Sequence, residues 1–110
     1  MKTTLLTAAA LVLCGSRVSN AGPPSCPSGS VCFYSSTGFA GDSWEWTTVK
    51  GYSDLPPSFM ERVGSFVANT DACFINYEPH EKRTVRNGDS HHDYKEEFGQ
   101  RIDAVRSGSC

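Results

Sequence analysis

Short segments rich in aromatic and β-branched residues recur along the chain and are separated by turn residues. This pattern is typical of an all-β domain. The strongest segment is Ser43–Val49, in which Trp44 and Trp46 share one face of the predicted strand because side chains alternate. Two aromatic rings on one face predict either a core position or an exposed binding patch, and core is the commoner fate of large rings.

Two further segments, Val31–Tyr34 and Arg62–Ala68, have the composition of strands. Between them, the two prolines in Asp54–Met60 exclude a central strand and predict a loop with one helical turn. The predicted strands are therefore short and joined by tight connections.

A folded corner is predicted where Tyr34 is followed by Phe39 and Gly41. We expect the chain to turn back sharply here, with Phe39 over the turn and Gly41 in a conformation that a Cβ would resist. Ser65, on a later strand, could hydrogen-bond this corner through its hydroxyl group.

The second half of the chain repeats the plan of the first. Cys73–Tyr77 echoes Cys32–Tyr34, and Phe98–Val105 parallels Phe59–Phe66, at offsets of about 40 residues. The two units, motif one at about 31–70 and motif two at about 72–110, predict a two-sheet antiparallel sandwich. Chance similarity between two strand–turn patterns is the alternative.

The first 21 residues have the features of an export signal. A lysine is followed by the apolar run Leu5–Leu13 and by the small-x-small sequence that ends at Ala21. Lipid attachment at Cys14 is an alternative, although Leu13 is bulky for that signal. Removal of 1–21 would leave one domain, 22–110, in an extracellular location.

Residues 22–110 carry eight basic and twelve acidic side chains, a net charge of about −4. A nucleic-acid partner would be expected to leave a basic patch, so the charge argues against one. The apolar run in 1–21 is too short to span a bilayer, and none follows it, so no membrane insertion is predicted.

Four cysteines lie in 22–110, and an even number in a small exported chain predicts two disulfides. Three pairings are possible. The turn-rich spacing of Cys26 and Cys32 favours a local bridge, which leaves Cys73 to pair with Cys110.

The spacing of Tyr34, Phe39, Gly41 and Ser65 resembles the Greek-key motif of the βγ-crystallin superfamily. The sequences of Cys26–Tyr34 and Gly64–Asn69 resemble those of one branch of this superfamily, the secreted peptidase inhibitor I36 group, which includes actinomycete metalloproteinase inhibitors. Motif two carries a degraded signature, with Lys82 and Thr84 after Tyr77 and with Ala104 in place of the serine.

The resemblance implies a Greek-key sandwich and a role in protease inhibition. The group's characterised inhibitor occupies a metalloproteinase cleft with an exposed, disulfide-supported loop, and no segment here matches that loop residue by residue. Many βγ-crystallins bind calcium just before the motif serine. The matching pairs here, Met60-Glu61 and Gly99-Gln100, lack the usual oxygen ligands, so neither a metal nor another cofactor is predicted.

We predict that a protein partner binds two loops that interrupt motif two, Glu78–Thr84 and Asn87–Tyr94, since loops on rigid scaffolds carry function. The candidate contacts are Glu78, His80, Glu81, Lys82, Arg83, His91, His92 and Tyr94. Zinc or copper ligation by the histidines and the nearby carboxylates is possible on a loop. A solvated loop is the favoured interpretation.

No catalytic arrangement is evident, because no serine lies in a nucleophile elbow and the cysteines are expected to be oxidised. The predicted function is a secreted, monomeric protease inhibitor that inserts a loop into the enzyme cleft. The alternatives are an antimicrobial, killer-toxin or effector-like protein, which can share this scaffold, and a cell-surface structural or stress protein.

Overall fold

Two four-stranded antiparallel sheets form the fold of residues 22–110, the part of the chain that the computed structural model describes. The predicted export signal lies outside the described residues. The strands are β1 Ser30–Ser36, β2 Ala40–Thr47, β3 Ser53–Asp54, β4 Ser65–Ala68, β5 Ala72–Asn76, β6 Glu81–Val85, β7 Ser90–His91 and β8 Ala104–Ser107. Two 3-10 turns cover Thr48–Lys50 and Phe98–Gln100.

The two sheets exchange one strand each. The first sheet has the order β2-β1-β4-β7 and the second has the order β3-β8-β5-β6. Each motif therefore forms a hairpin, sends one strand to the opposite sheet and returns beside its first strand, as in a Greek key. The predicted all-β, two-motif Greek-key sandwich is confirmed.

The core lies between the sheets and is dominated by aromatic side chains. Phe33, Trp46, Phe66 and Phe74 are fully buried, and the ring of Phe74 contacts those of Phe33 and Phe66 at centroid distances of 5.3 and 5.1 Å. The buried indole of Trp46 is satisfied because Nε1 donates to the carbonyl of Gly51 at 2.9 Å. Half-buried Trp44 packs against this cluster, so the shared tryptophan face is core.

Several predicted boundaries are wrong by a few residues. The strand predicted to reach Val49 ends at Thr47, and Val49 lies in the 3-10 turn with 90% of its surface exposed. The strand predicted from Arg62 begins at Ser65. A β-branched or extended sequence does not mark a strand end by itself, since pairing with a neighbour decides where the ladder stops.

Two disulfides fasten the ends of the domain. The N-terminal disulfide joins Cys26 to Cys32 and the C-terminal disulfide joins Cys73 to Cys110. This is the pairing that the spacing favoured. The C-terminal disulfide covers the outer face of the second sheet, where Cys73, Ile75 and Ala104 form a small buried cluster.

Candidate functional site

The corner of motif one is held by the hydroxyl group of Ser65. This buried oxygen accepts a hydrogen bond from the backbone N–H of Phe39 at 2.9 Å and donates to the carbonyl of Ser36 at 2.6 Å. Phe39 has a φ of 58°, and a side chain is rarely stable in this left-handed region. The ring of Phe39 meets that of Tyr34 edge-on at 5.9 Å, so both hydrogen bonds and aromatic contact fix the turn.

Two glycines allow the chain to approach itself at this corner. Gly41 has a φ of 80°, and a Cβ there would lie 2.4 Å from Oγ of Ser35. Gly64 lies under the turn, where a Cβ would be 2.4 Å from the backbone carbon of Ser36. Because Gly64 has no side chain, its backbone can approach the turn closely, and its N–H donates to the carbonyl of Tyr34 at 2.9 Å.

The corner of motif two is built differently. Asp103 N–H donates to the carbonyl of Ile75 at 2.8 Å, as Gly64 N–H does to Tyr34, so Ile75 is the counterpart of Tyr34. The signature counted from Tyr77 is therefore wrong by two residues, whereas the echo of Cys32 by Cys73 gives the correct counterpart. The second hairpin is also two residues shorter than the first, since Ile75 pairs with Lys82 and Tyr34 with Ser43. The buried carboxylate of Asp103 accepts from the N–H of Tyr77 at 2.8 Å and does for this corner what Ser65 does for the other.

Both corners lie at one end of the sandwich. One cleft there is lined by Ser35, Glu61, Gly64 and Gln100, and a second is lined by Glu61, Gln100, Glu78 and Pro79. The shared residues Glu61 and Gln100 therefore lie between the two hairpin turns. We call this surface the corner end: residues 36–41, 60–62, 77–80, 91–93 and 99–101.

The first predicted contact loop, Glu78–Thr84, is only partly a loop. Glu78 and His80 are exposed in the turn at the corner end. Glu81, Lys82 and Arg83 instead lie in strand β6, so their assignment to a loop is wrong. An edge strand pairs on one side only and does not need an apolar alternation, and charged residues are common there.

Two of the side chains on β6, those of Glu81 and Arg83, contact residues of the segment 98–101. Arg101 pairs with Glu81 at 2.7 Å and lowers the pKa of that carboxyl group, and the guanidinium of Arg83 lies 4.6 Å from the centroid of the Phe98 ring. Lys82 is exposed on this strand.

The second predicted loop, Asn87–Tyr94, is interrupted by strand β7, which contains His91. His92 follows it, and its carbonyl group accepts from the N–H of Gly38 at 2.6 Å, which joins this segment to the first corner. His91 stacks on Phe66 at 5.4 Å.

Tyr94 is wrong as a partner contact. Only 5% of its surface is exposed, because its ring packs against Phe66 at 4.8 Å, and burial raises the pKa of its phenol to about 12. An aromatic residue at the end of a polar loop gives no signal that distinguishes a core anchor from a contact.

An open cleft of about 1060 Å³ lies beside the histidines. It is lined by Gly38 and Phe39 of the first corner, by His91–Asp93, and by Pro23 and Pro24 near the start of the described residues. His91 Nδ1 lies 3.9 Å from a carboxylate oxygen of Glu97 at the edge of this cleft. The cleft is thus bordered by the first corner and by the segment from the second predicted loop.

The positions where related folds bind calcium do not fit that ion here. Hydrogen bonding to Asp103, followed by the charge of that carboxyl group, raises the pKa of Glu61. Met60 and Gly99 supply no side-chain oxygen. Within residues 22–110, no group of three or more His, Cys, Asp or Glu side chains could hold a metal ion.

The described residues also contain no helix that is both long and apolar enough to cross a membrane.

Comparison with known proteins agrees with this architecture. Residues 19–80 match peptidase inhibitor family I36. An uncharacterized gerABC family protein of Dictyostelium discoideum is 41% identical over 80% of this chain and 80% of its own length. Spore germination protein 1 of the same organism is 37% identical over 79% of this chain and 72% of its own length.

Among solved structures, one described for the evolution of the eye-lens βγ-crystallin domain fold superposes with a TM-score of 0.61. It is 20% identical, and the match covers 81% of this chain and 95% of that one, so it bears on the fold alone. The predicted resemblance is confirmed on both counts: the fold is that of a βγ-crystallin, and the chain belongs to peptidase inhibitor family I36.

Proposed function

We propose that the chain is a secreted inhibitor of an extracellular peptidase and that its corner end contacts the enzyme. Membership of family I36 is the observation that carries this proposal. Secretion, with removal of 1–21, is part of it. Two disulfides suit an oxidising extracellular compartment.

Rigidity of the corner end supports an inhibitory role. A peptidase binds extended, mobile segments as substrates, so an inhibitor benefits from exposed turns that are already ordered. Here the turn at Glu78–His80 is fixed by Asp103 beneath Tyr77, and the segment after β7 is fixed by the bond from Gly38 to His92. Both turns are exposed, and their backbone is held in place by these hydrogen bonds.

Shape also favours a binding role at this end. The exposed turn at Glu78–His80 borders the cleft that contains Glu61, while His91–Asp93 borders the large cleft beside Phe39. An exposed hairpin turn can enter an active-site groove, and the adjacent cleft can accept a rim residue of the enzyme. We therefore assign the turn at Glu78–His80 as the inserting segment and His91–Asp93 as a flanking contact.

Inhibition assays with variants test the proposal. The oxidised chain is assayed against a panel of extracellular peptidases that includes thermolysin-type metalloproteinases. Against any enzyme that is inhibited, the double variant Glu78→Ala/His80→Ala should raise the inhibition constant by at least tenfold, which is about 1.4 kcal/mol of binding free energy.

Asn87→Ala is the matched control. Asn87 is exposed in the turn after β6, at the opposite end of that strand from the corner end. Its substitution should leave the inhibition constant within about twofold, since the side chain lies outside the proposed contact. Equal effects of the two variants would refute the assignment of the corner end, and a panel without inhibition would refute the inhibitor function itself.

A role in spore germination is a second candidate function. The observation that favours it is the 37% identity to spore germination proteins 1 and 2 of Dictyostelium discoideum. Deletion of the gene in a spore-forming producer should change the timing of germination, and the wild-type chain supplied in the medium should restore it. Unchanged timing would remove this candidate.

The two other candidate functions predict different results. An antimicrobial or toxin-like protein should inhibit the growth of a competing microbe when no peptidase is present. A structural or stress protein should neither inhibit a peptidase nor arrest growth.

A further inference from the structure

Two exposed tyrosines and one aspartate form a hydrogen-bonded chain on the flank of the second sheet. The hydroxyl of Tyr52 donates to the hydroxyl of Tyr77 at 2.9 Å, and the hydroxyl of Tyr77 donates to Oδ1 of Asp54. We call these three side chains the tyrosine relay. Tyr52 and Tyr77 are 56% and 43% exposed, so neither ring serves the core.

The relay is fixed to the sheet at each of its members. Asp54 lies in β3 and pairs with Ala104 of β8, and Tyr52 precedes that strand by one residue. Tyr77 follows β5, and its N–H is held by Asp103. Two large rings are thus ordered at the surface before any partner binds, which lowers the entropy cost of using them as contacts.

The relay offers hydrogen-bond acceptors and no donor. Both phenolic protons are used inside it, one on Tyr77 and the other on Asp54. The oxygens of Tyr52 and Asp54 keep free lone pairs, since a hydroxyl accepts two hydrogen bonds and a carboxylate about four. A group that binds here must therefore donate hydrogen bonds.

Charge selects among possible donors. The carboxylate of Asp54 gives the relay a negative charge, and residues 22–110 carry a net charge of about −4. Hydrogen bonding to Asp54, followed by that from Tyr52, raises the pKa of Tyr77, so its proton stays in the relay at neutral pH. A cationic donor gains a charge-assisted hydrogen bond to the carboxylate and attraction to the tyrosine rings, whereas a neutral donor gains neither.

We propose that the tyrosine relay is a docking site for an arginine side chain on the surface of a protein partner. The guanidinium has a planar set of five donors, which suits several acceptors close together, and it stacks on aromatic faces more readily than an ammonium group. The relay adjoins the corner end, since Tyr77 belongs to both, but its other two members lie on the flank of the second sheet. The inference does not depend on the inhibitor function.

Backbone amide NMR of the oxidised chain tests the proposal with a defined probe. The probe is a blocked Gly-Arg-Gly tripeptide, and its control is the same peptide with citrulline, which has the shape of arginine without the charge. The arginine peptide should produce saturable shifts at residues 52–54 and 77 at millimolar concentration, and the citrulline peptide should not.

Two charge-matched variants locate the effect. Asp54→Asn retains an acceptor for Tyr77 and removes the charge, so it should weaken binding of the arginine peptide about tenfold, in line with the loss of one charge-assisted hydrogen bond. Asp42→Asn removes an exposed carboxylate elsewhere and should leave the affinity within about twofold.

Three outcomes would overturn the proposal: equal shifts with the citrulline peptide, equal weakening by the two variants, or no saturable shift. Maltoheptaose serves as a neutral glycan probe, and an equal or larger response to it would also overturn the assignment. Unchanged spectra of both variants away from the substitution ensure that the comparison is made between folded proteins.

Discussion

Substitution of Ser65 by alanine tests whether one hydroxyl group holds the first corner. The change removes a single oxygen from a fully buried side chain and leaves no large cavity. It removes both hydrogen bonds at once, the one from the N–H of Phe39 at 2.9 Å and the one to the carbonyl of Ser36 at 2.6 Å. The backbone groups at the turn then lose their partner while Phe39 keeps its unfavourable φ of 58°.

The expected loss follows from these two bonds. Each contributes about 1 kcal/mol net, and a buried group left unpaired adds a further penalty of about 1 kcal/mol or more. Water reaches the outer side of the turn because Ser36 is exposed, so only part of that penalty applies. We therefore expect Ser65→Ala to reduce the free energy of unfolding by about 2–3 kcal/mol.

Urea unfolding followed by tryptophan fluorescence measures this loss, since Trp46 is buried in the same sheet. Ser43→Ala is the matched control, because Ser43 is an exposed serine in β2, opposite Tyr34. The control should change stability by less than about 0.5 kcal/mol. A Ser65→Ala variant as stable as the control would refute the role given to this hydroxyl group.

Three further predictions concern the backbone, the disulfides and pH. Gly64→Ala should reduce the free energy of unfolding by more than about 3 kcal/mol, because the added Cβ would meet backbone atoms. Gly38→Ala, with a φ of 71° and open space around it, should reduce it by about 1–2 kcal/mol. Urea unfolding of both variants measures these losses, and similar losses would contradict the argument. Replacing the C-terminal disulfide by two serines should reduce the free energy of unfolding by about 4 kcal/mol, and replacing the N-terminal disulfide should reduce it by about 2 kcal/mol, because the bridges span 37 and 6 residues. A larger loss from the shorter bridge, measured by urea unfolding, would contradict this explanation by loop entropy. Burial raises the pKa of Tyr94 from 10.0 to about 12, so the contribution of its neutral phenol to stability is complete below pH 10 and is lost as the pH rises through 12. The free energy of unfolding should therefore fall less steeply between pH 10 and 12 in Tyr94→Phe than in the wild type. An unchanged slope would contradict the burial of this phenol.

The fold could be predicted because two signals in the sequence report on obligatory geometry. The Tyr34, Phe39, Gly41 and Ser65 spacing encodes a turn that only certain residues can form, and these residues meet at the first corner. The repeat at about 40 residues then gives the second motif and hence the sandwich.

The second corner could not be predicted because a different residue performs the task. Asp103 lies one position before the counterpart of Ser65 and holds this corner through the N–H of Tyr77. Counting the motif from Tyr77, the nearest tyrosine, therefore placed it two residues out of register. The repeat of Phe59–Phe66 at Phe98–Val105 sets Asp103 opposite Gly64, and the matching backbone bonds of these two residues agree with that alignment.

The candidate site was predicted in part for a related reason. The turn at Glu78–His80 and the segment at His91 and His92 are exposed at the corner end, but polarity alone could not separate them from the edge strand β6. The tyrosine relay was not foreseen, since Tyr52, Asp54 and Tyr77 are brought together only by the pairing of β3 with β8 and of β8 with β5.

Titration of a fixed amount of an extracellular metalloproteinase with the oxidised chain tests the central claim most directly. The inhibitor account predicts that activity falls linearly to a break at one chain per enzyme, and that mass spectrometry recovers the chain uncut. Undiminished activity across the peptidase panel, or steady degradation of the chain as a substrate, would contradict it.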